Sequence, residues 1–272
     1  MKSQYKISII FRTCDKVNAV HGSPRPFGLD KLSLIKLCFK SLVHAIKNID
    51  HSIYVVADDI SLELKNFILQ YNIHLIEGVY GNDNSLRETF KIASTIPPNE
   101  YIYFCEDDYL HTPDCFEKIG DLIDNYDAIF PSKIQYNFSF GTIKRNFTIF
   151  SINRFFKKPD LMIFPCDYPD RYIPKGRSKS NIFTVNNTHW REVNDVTFTF
   201  LIQSKTFKKH EKTFFKSAHK ANDRFLSRTL IGKHFFFNKT FCLSPMPSLS
   251  NHMHTETMSP VVNWEQVAKQ VE

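Results

Sequence analysis

Three consecutive carboxylates, Glu106, Asp107 and Asp108, follow directly on the apolar run Tyr101–Cys105. The alternation and aromatic content of that run predict a buried strand. Acidic residues just past the C-terminal end of such a strand stand where open α/β sheets bind their ligands. Adjacent carboxylates repel one another, and a hard divalent cation is the natural offset. The competing reading is a solvated acidic loop ahead of a helix that begins near Thr112-Pro113-Asp114.

Other predicted strand ends carry polar groups of the same kind. The first ends in Arg12-Thr13, the second in Asp58-Asp59, and the third leads through Gly78 to Gly81-Asn82-Asp83-Asn84. Together with Glu106-Asp107-Asp108 these describe a crevice suited to a nucleotide. Carboxylates bond the base or ribose, an arginine bonds phosphate, and a metal bridges a diphosphate. Each loop alone is weak, because Asp and Asn are ordinary turn residues. Arg87, at the start of the third predicted helix, is within reach of a phosphate or pairs with Glu88 or Asp83. Trp190, with His189 and Glu192 beside it, either stacks on a ligand ring or belongs to the core.

The elements that must position these groups alternate regularly through the first half. Strands are predicted at Lys6–Phe11, Ser52–Ala57, Ile73–Ile76 and Tyr101–Cys105. Helices are predicted at Leu29–Asn48, Ser61–Tyr71, Ser85–Ser94 and Pro113–Asn125. Such alternation with short connections implies a parallel, Rossmann-like sheet flanked by helices. Beyond residue 126 the pattern loosens. Strands are expected at Asp127–Pro131, Thr142–Phe156, Asp195–Ile202 and Phe235–Leu243, and a helix at Ala221–Ile231. Lys157–Lys179 reads as loop, and Ser248–Trp264 as an ordered loop because His, Met and Trp residues are interleaved there. The expected division is a nucleotide-binding half over 1–126 and a second half over 127–272, within one continuous domain.

The 272 residues carry a formal net charge of +7, with the basic excess mostly in the second half. One group spans Lys144–Lys179 and another Lys205–Lys220. Such charge suits an anionic substrate such as a nucleotide diphosphate, or peripheral contact with an anionic membrane. No nucleic-acid-binding module accompanies it, so no nucleic acid partner is expected. Six cysteines without a Cys-x-x-Cys pair argue against a zinc site and for reduced thiols in a cytoplasmic protein. The N-terminal apolar run Ile7–Phe11 is too short for a secretory signal, and no run approaches a membrane span.

The order of these loops resembles the GT-A class of nucleotide-sugar glycosyltransferases, most clearly over residues 5 to 125. The resemblance implies that Phe11-Arg12-Thr13 contacts the base and that Asp58-Asp59 reads it. It implies that Glu106-Asp107-Asp108 is the DXD-type motif, with Glu in place of the first Asp. Asp108 is then the direct ligand of Mn²⁺ or Mg²⁺, with Glu106 as a further ligand or nearer the sugar. Asn84 and Arg87 would complete the donor site. A late His closes the metal site in this class, which points to His252, with His254 in reserve. Asp223, at the start of a late helix, matches the class's catalytic base, although Asn222 replaces the usual Glu. Otherwise Asp223 is a first-turn carboxylate favoured by the helix dipole.

The expected activity is inverting transfer of a sugar from a nucleotide-diphosphate sugar to a hydroxyl of a glycan or other acceptor. A retaining transferase would keep the same donor site. A sugar-phosphate nucleotidyltransferase is disfavoured because Arg12-Thr13-Cys14-Asp15 lacks the Gly-rich phosphate loop. A non-catalytic basic module, with a merely structural acidic triplet, is the remaining rival.

Overall fold

The computed structural model describes residues 5–17, 24–129, 159–173, 180–231 and 240–271. The first half contains β1 (Lys6–Thr13), α1 (Lys31–Ile46), β2 (Asp50–Asp58), α2 (Leu62–Ile68) and β3 (His74–Gly78). It continues with α3 (Asn82–Thr95), β4 (Tyr101–Glu106), β5 (Tyr109–His111) and α4 (Cys115–Ile129). The second half contains β6 (Asp160–Ile163), β7 (Ile182–Val185), β8 (Thr188–Val193) and β9 (Phe200–Gln203). Then come α5 (Ser204–Lys209), α6 (Glu211–Ser217), α7 (Asp223–Leu230), β10 (Thr240–Met246), β11 (Ser250–His252) and α8 (Trp264–Lys269).

The fold is mixed α/β, built on a nine-stranded sheet of order β3-β2-β1-β4-β9-β6-β10-β8-β7 and flanked by helices. β1 pairs in parallel with both β2 and β4, and β2 with β3. Only β8 and β9 run against the remaining strands. The sheet is therefore mostly parallel, as the alternation predicts. It passes without interruption from the first half to the second through the β4–β9 pair. Ile7, Ile9, Ile10 and Phe11 on β1 are all buried, as expected of a central parallel strand covered on both faces. Phe90, Phe104, Phe200, Phe207 and Phe214 pack together where α3, α5 and α6 cover the junction.

Helix starts follow local chemistry. Asp30 accepts from Ser33 N at 2.7 Å and Ser61 from Leu64 N at 3.2 Å, each capping its helix. α3 begins earlier than the sequence suggests. Gly81 supplies a backbone φ of 72°, so Asn82, Asp83 and Asn84 form a first helical turn instead of a loop.

The second half departs further from expectation. Residues 127–129 continue α4, because Phe116, Ile119, Leu122 and Tyr126 keep one buried helical face. The strand expected over Asp195–Ile202 shortens to β9, and the segment before it uses its Thr hydroxyls in side-chain bonds. The supposed loop 157–179 contains β6 and a 3-10 turn at Pro169–Tyr172. The strand expected over 142–156 and the first basic group beyond residue 130, apart from Asp160–Ile173, lie outside the described residues. Among the described residues no helix is long and apolar enough to cross a membrane.

Candidate metal centre and adjoining cleft

The three carboxylates diverge to three different partners. Glu106 closes β4 opposite Arg12 of β1, and Arg12 Nη2 donates to Glu106 Oε1 at 2.7 Å. Arg12 Nη1 also donates to Asn82 Oδ1 at 2.8 Å, tying the start of α3 to the same spot. Asp107 turns the other way and accepts from Thr13 Oγ1 and Cys14 N, each at 3.0 Å. Burial raises the carboxyl pKa of both residues, opposed by Arg12 at Glu106 and by Lys31 at Asp107.

Asp108 faces two histidines. β5 pairs antiparallel with β11, setting Tyr109 opposite His252, and Met253 N donates to Asp108 O at 2.8 Å. Successive side chains of an extended segment alternate in direction. Met253 therefore enters a small core with Leu110 and Trp264, while His252 and His254 emerge on the opposite side. Their Nε2 atoms lie 3.0 and 3.1 Å from Asp108 Oδ2. Burial would raise the Asp108 carboxyl pKa, but the two imidazoles outweigh it and hold the group well below the usual range. Burial would lower the His252 pKa, and Asp108 overcomes this and raises it.

Asp108, His252 and His254 each offer one donor atom, all within 4.8 Å of one another. Asp108 Oδ1 is buried with no hydrogen-bond partner. Such an orphaned carboxylate oxygen beside two imidazoles fits a bound divalent cation. The donor set of two nitrogens and a carboxylate suits a first-row transition ion better than Mg²⁺, which prefers oxygen. Glu106 lies outside this group of three donors, and Arg12 holds its Oε1. His254 takes the place beside Asp108 and His252. The sequence signal for it is the period-two spacing His252-Met253-His254 with an apolar residue between.

The other predicted donor-site residues lie at the same end of the sheet. Asp58 is buried, and its Oδ1 accepts from Tyr80 N at 2.6 Å and Gly81 N at 3.0 Å. Its carboxylate thus holds the turn into α3. Asp59, at φ 50°, pairs with Lys16. Asn84 Nδ2 donates to Tyr80 O at 3.0 Å. Arg87 makes no hydrogen bond or ion pair with another described residue and is only half-buried.

A cleft of about 740 Å³ opens beside the His pair. Tyr168 and Thr257 line it, and the hydroxyls of both lie 3.4 Å from His252 Nδ1. Asp223, in the first turn of α7, lines the same cleft. Burial, with a contribution from nearby Asp195, raises its carboxyl pKa. Asn222 caps α7 by accepting from Phe225 N at 2.8 Å, so the residue before Asp223 is structural. Trp190 is fully buried and cannot stack on an acceptor. His189 beside it is exposed, and Glu192 accepts from Asn181 Nδ2 at 2.6 Å. Tyr168, Thr197 and Thr257 are cleft residues that the sequence alone did not mark.

No protein-family model matches this chain, and no curated protein matches it in sequence. Solved structures match weakly. Residues 1–349 of S. aureus TarS align with 76% of this chain at 11% identity and a TM-score of 0.42. This chain spans about half, 49%, of that TarS fragment. The galactosyltransferase LgtC, solved with donor and acceptor sugar analogs, aligns over 97% of this chain and 95% of its own. Its identity is 10% and its TM-score 0.45. The inositol-1-phosphate CTP transferase of T. maritima aligns over 100% and 98%, at 13% identity and a TM-score of 0.40. Likeness of this degree assigns no activity.

Proposed function

We propose that the chain is a metal-dependent glycosyltransferase that takes its sugar from a nucleotide-diphosphate donor. The observation that carries this reading is the Asp108–His252–His254 cluster at the end of β4, linked through Tyr168 and Thr257 to the cleft that holds Asp223. Arg12, Thr13, Asp58, Asp59, Asn84, Arg87, Glu106 and Asp107 are the proposed donor-binding residues. Asp108, His252 and His254 would hold Mn²⁺ or a similar ion. Bound there, the ion supplies Lewis acidity toward a leaving diphosphate.

Asp223 is the proposed general base. Its carboxylate takes the proton of an acceptor hydroxyl as that oxygen bonds to the anomeric carbon. The bond from that carbon to the diphosphate oxygen breaks, the diphosphate leaves with the electron pair, and configuration inverts. The raised pKa of Asp223 makes it a better proton acceptor than an ordinary exposed carboxylate.

Thermal shift with uridine and guanosine diphosphates, with and without Mn²⁺, tests the donor reading. The expected result is stabilisation by one nucleotide in the presence of Mn²⁺ that chelation removes. No stabilisation by either nucleotide under any metal condition would sink it.

A further inference from the structure

Lys208, Lys212, Lys216, Lys220, Arg224 and Arg228 recur at four-residue intervals. α5 and α6 are joined almost as one helix: His210 N donates to Thr206 O at 3.2 Å, and Phe214 N to His210 O at 3.3 Å. Within a helix a step of four residues places side chains on successive turns of one face, about 6 Å apart, which groups Lys208, Lys212 and Lys216 along α5 and α6 and Arg224 with Arg228 on α7. Phe207 and Phe214 bury the opposite side against the sheet. The chain then turns through His219–Ala221 into α7. Lys216 Nζ lies 5.2 Å from the centre of the Phe225 ring, which joins the α6 part of the row to the α7 part. Arg224 and Arg228 reach the cleft itself.

None of the six makes an ion pair with another described residue. The acids nearest the row are engaged elsewhere. Asp160 pairs with Lys209, Glu211 accepts from Ser94, and Asp83 faces His219 and the Lys220 amide. Within the cleft, Asp195 pairs with Arg171, while Asp170, Asp223 and Glu256 also contribute to its lining. The cleft lining itself sets four carboxylates against Arg171, Arg224 and Arg228, so the uncompensated positive charge lies along α5, α6 and the turn into α7 rather than within the cleft.

We propose that this row is a track for an acidic glycan, a chain of carboxylate-bearing sugars, whose hydroxyl it delivers to the cleft beside Asp223. That the glycan is the acceptor rests on the glycosyl-transfer reading; the track itself does not. Two features favour this occupant. The row ends inside a cleft, as a substrate path does. Among the described residues, no exposed large hydrophobic side chain falls between residues 204 and 231. A helix lying on a membrane needs an apolar face, and a single-stranded nucleic acid needs exposed aromatic platforms.

The test uses the full chain and fluorescently labelled oligogalacturonate, with maltohexaose, phosphatidylserine vesicles and a single-stranded oligonucleotide as comparisons. Oligogalacturonate should bind at moderate salt and maltohexaose at least tenfold more weakly. The double variant Lys212→Glu, Lys216→Glu should weaken oligogalacturonate binding at least tenfold, while the nucleotide-diphosphate thermal shift stays unchanged. Undiminished binding in the variant overturns the track. So does tighter binding of vesicles or of the oligonucleotide than of oligogalacturonate. Track binding without any nucleotide-dependent shift would instead remove the donor reading and leave the track standing.

Discussion

Arg12 and Glu106 are register partners on adjacent parallel strands, and their side chains meet at 2.7 Å across the end of the sheet. This ion pair changes how the acidic triplet is held. Three adjacent carboxylates suggest that one cation must offset them all. In the structure Arg12 compensates Glu106, backbone and hydroxyl donors hold Asp107, and only Asp108 is left to the His pair. The triplet is thus three separate devices on consecutive residues.

Asp108→Asn should abolish Mn²⁺ binding and any metal-dependent nucleotide shift, because the amide is a neutral and poorer ligand. The metal-free protein should also lose some stability, since hydrogen bonds to charged groups are worth about 1.5–3 kcal/mol each. Calorimetric titration with Mn²⁺ decides the first point; retained tight binding would exclude Asp108 as a ligand.

His254→Ala and His252→Ala should weaken Mn²⁺ affinity alike. Loss of a mere outer partner of a metal ligand costs about 10–100-fold, so loss of a direct ligand should reach at least that. Tyr168→Phe removes only a hydroxyl near His252 and should cost less than either. If His254→Ala matches the parent in titration, the cluster has lost a member.

Asp58→Ala should destabilise the protein, whatever it does to nucleotide affinity. Its Oδ1 accepts from two backbone amides in a buried site, and leaving those donors unpaired costs about 1–3 kcal/mol. The midpoint of urea unfolding reports the loss. An unchanged midpoint would show that the turn into α3 does not depend on this carboxylate.

Asp223→Asn should lower turnover by about 10²–10⁴-fold with donor binding intact. A base must be deprotonated to act, and burial raises this carboxyl. Parent activity should therefore fall on acidification at a pH above that of an ordinary aspartate, and the remaining activity of the variant should lack that limb. A product of retained configuration, determined by NMR, would refute the inverting role.

His111 gives a pH signature in stability. It is fully buried, bonded to the Tyr103 hydroxyl at 2.7 Å, and burial lowers its pKa from 6.5 to about 3. The unfolded chain takes up this proton below about pH 6.5 and the native protein does not. Its neutral form therefore carries full stability above that pH. As the pH falls toward 3 the stability declines, by at most about 1.4 kcal/mol per pH unit from this group. Urea unfolding of His111→Gln between pH 7 and 4 should give a shallower slope than the parent; equal slopes would contradict the assignment.

The first half of the fold is legible because its parallel strands and amphipathic helices obey simple periods. Ile7–Phe11 and Tyr101–Cys105 can hardly be anything but buried strands. The candidate cluster was legible only in part. The strand-end position of Asp108 marks it, but that His254 lies beside it while Arg12 holds Glu106 depends on contacts spanning 146 and 94 residues. The cleft was less legible still. Thr197 and Tyr168 come from irregular segments, where no period constrains direction, and they meet only through the Tyr109 hydroxyl. Trp190 looks functional in sequence because its neighbours are polar, yet strand alternation sends it into the core.

The short β5–β11 ladder joins residues that are far apart in the chain: Asp108 lies 144 positions from His252 and 146 from His254. Closing so long a loop has a large entropic cost, met here by the fold as a whole. An unfolded chain retains only the local His252–His254 pair as a chelate. An ion held by Asp108, His252 and His254 would therefore be captured only late in maturation, and it would clasp the C-terminal segment to the end of β4. Its uptake would serve as a chemical clock for the moment at which the C-terminal segment docks.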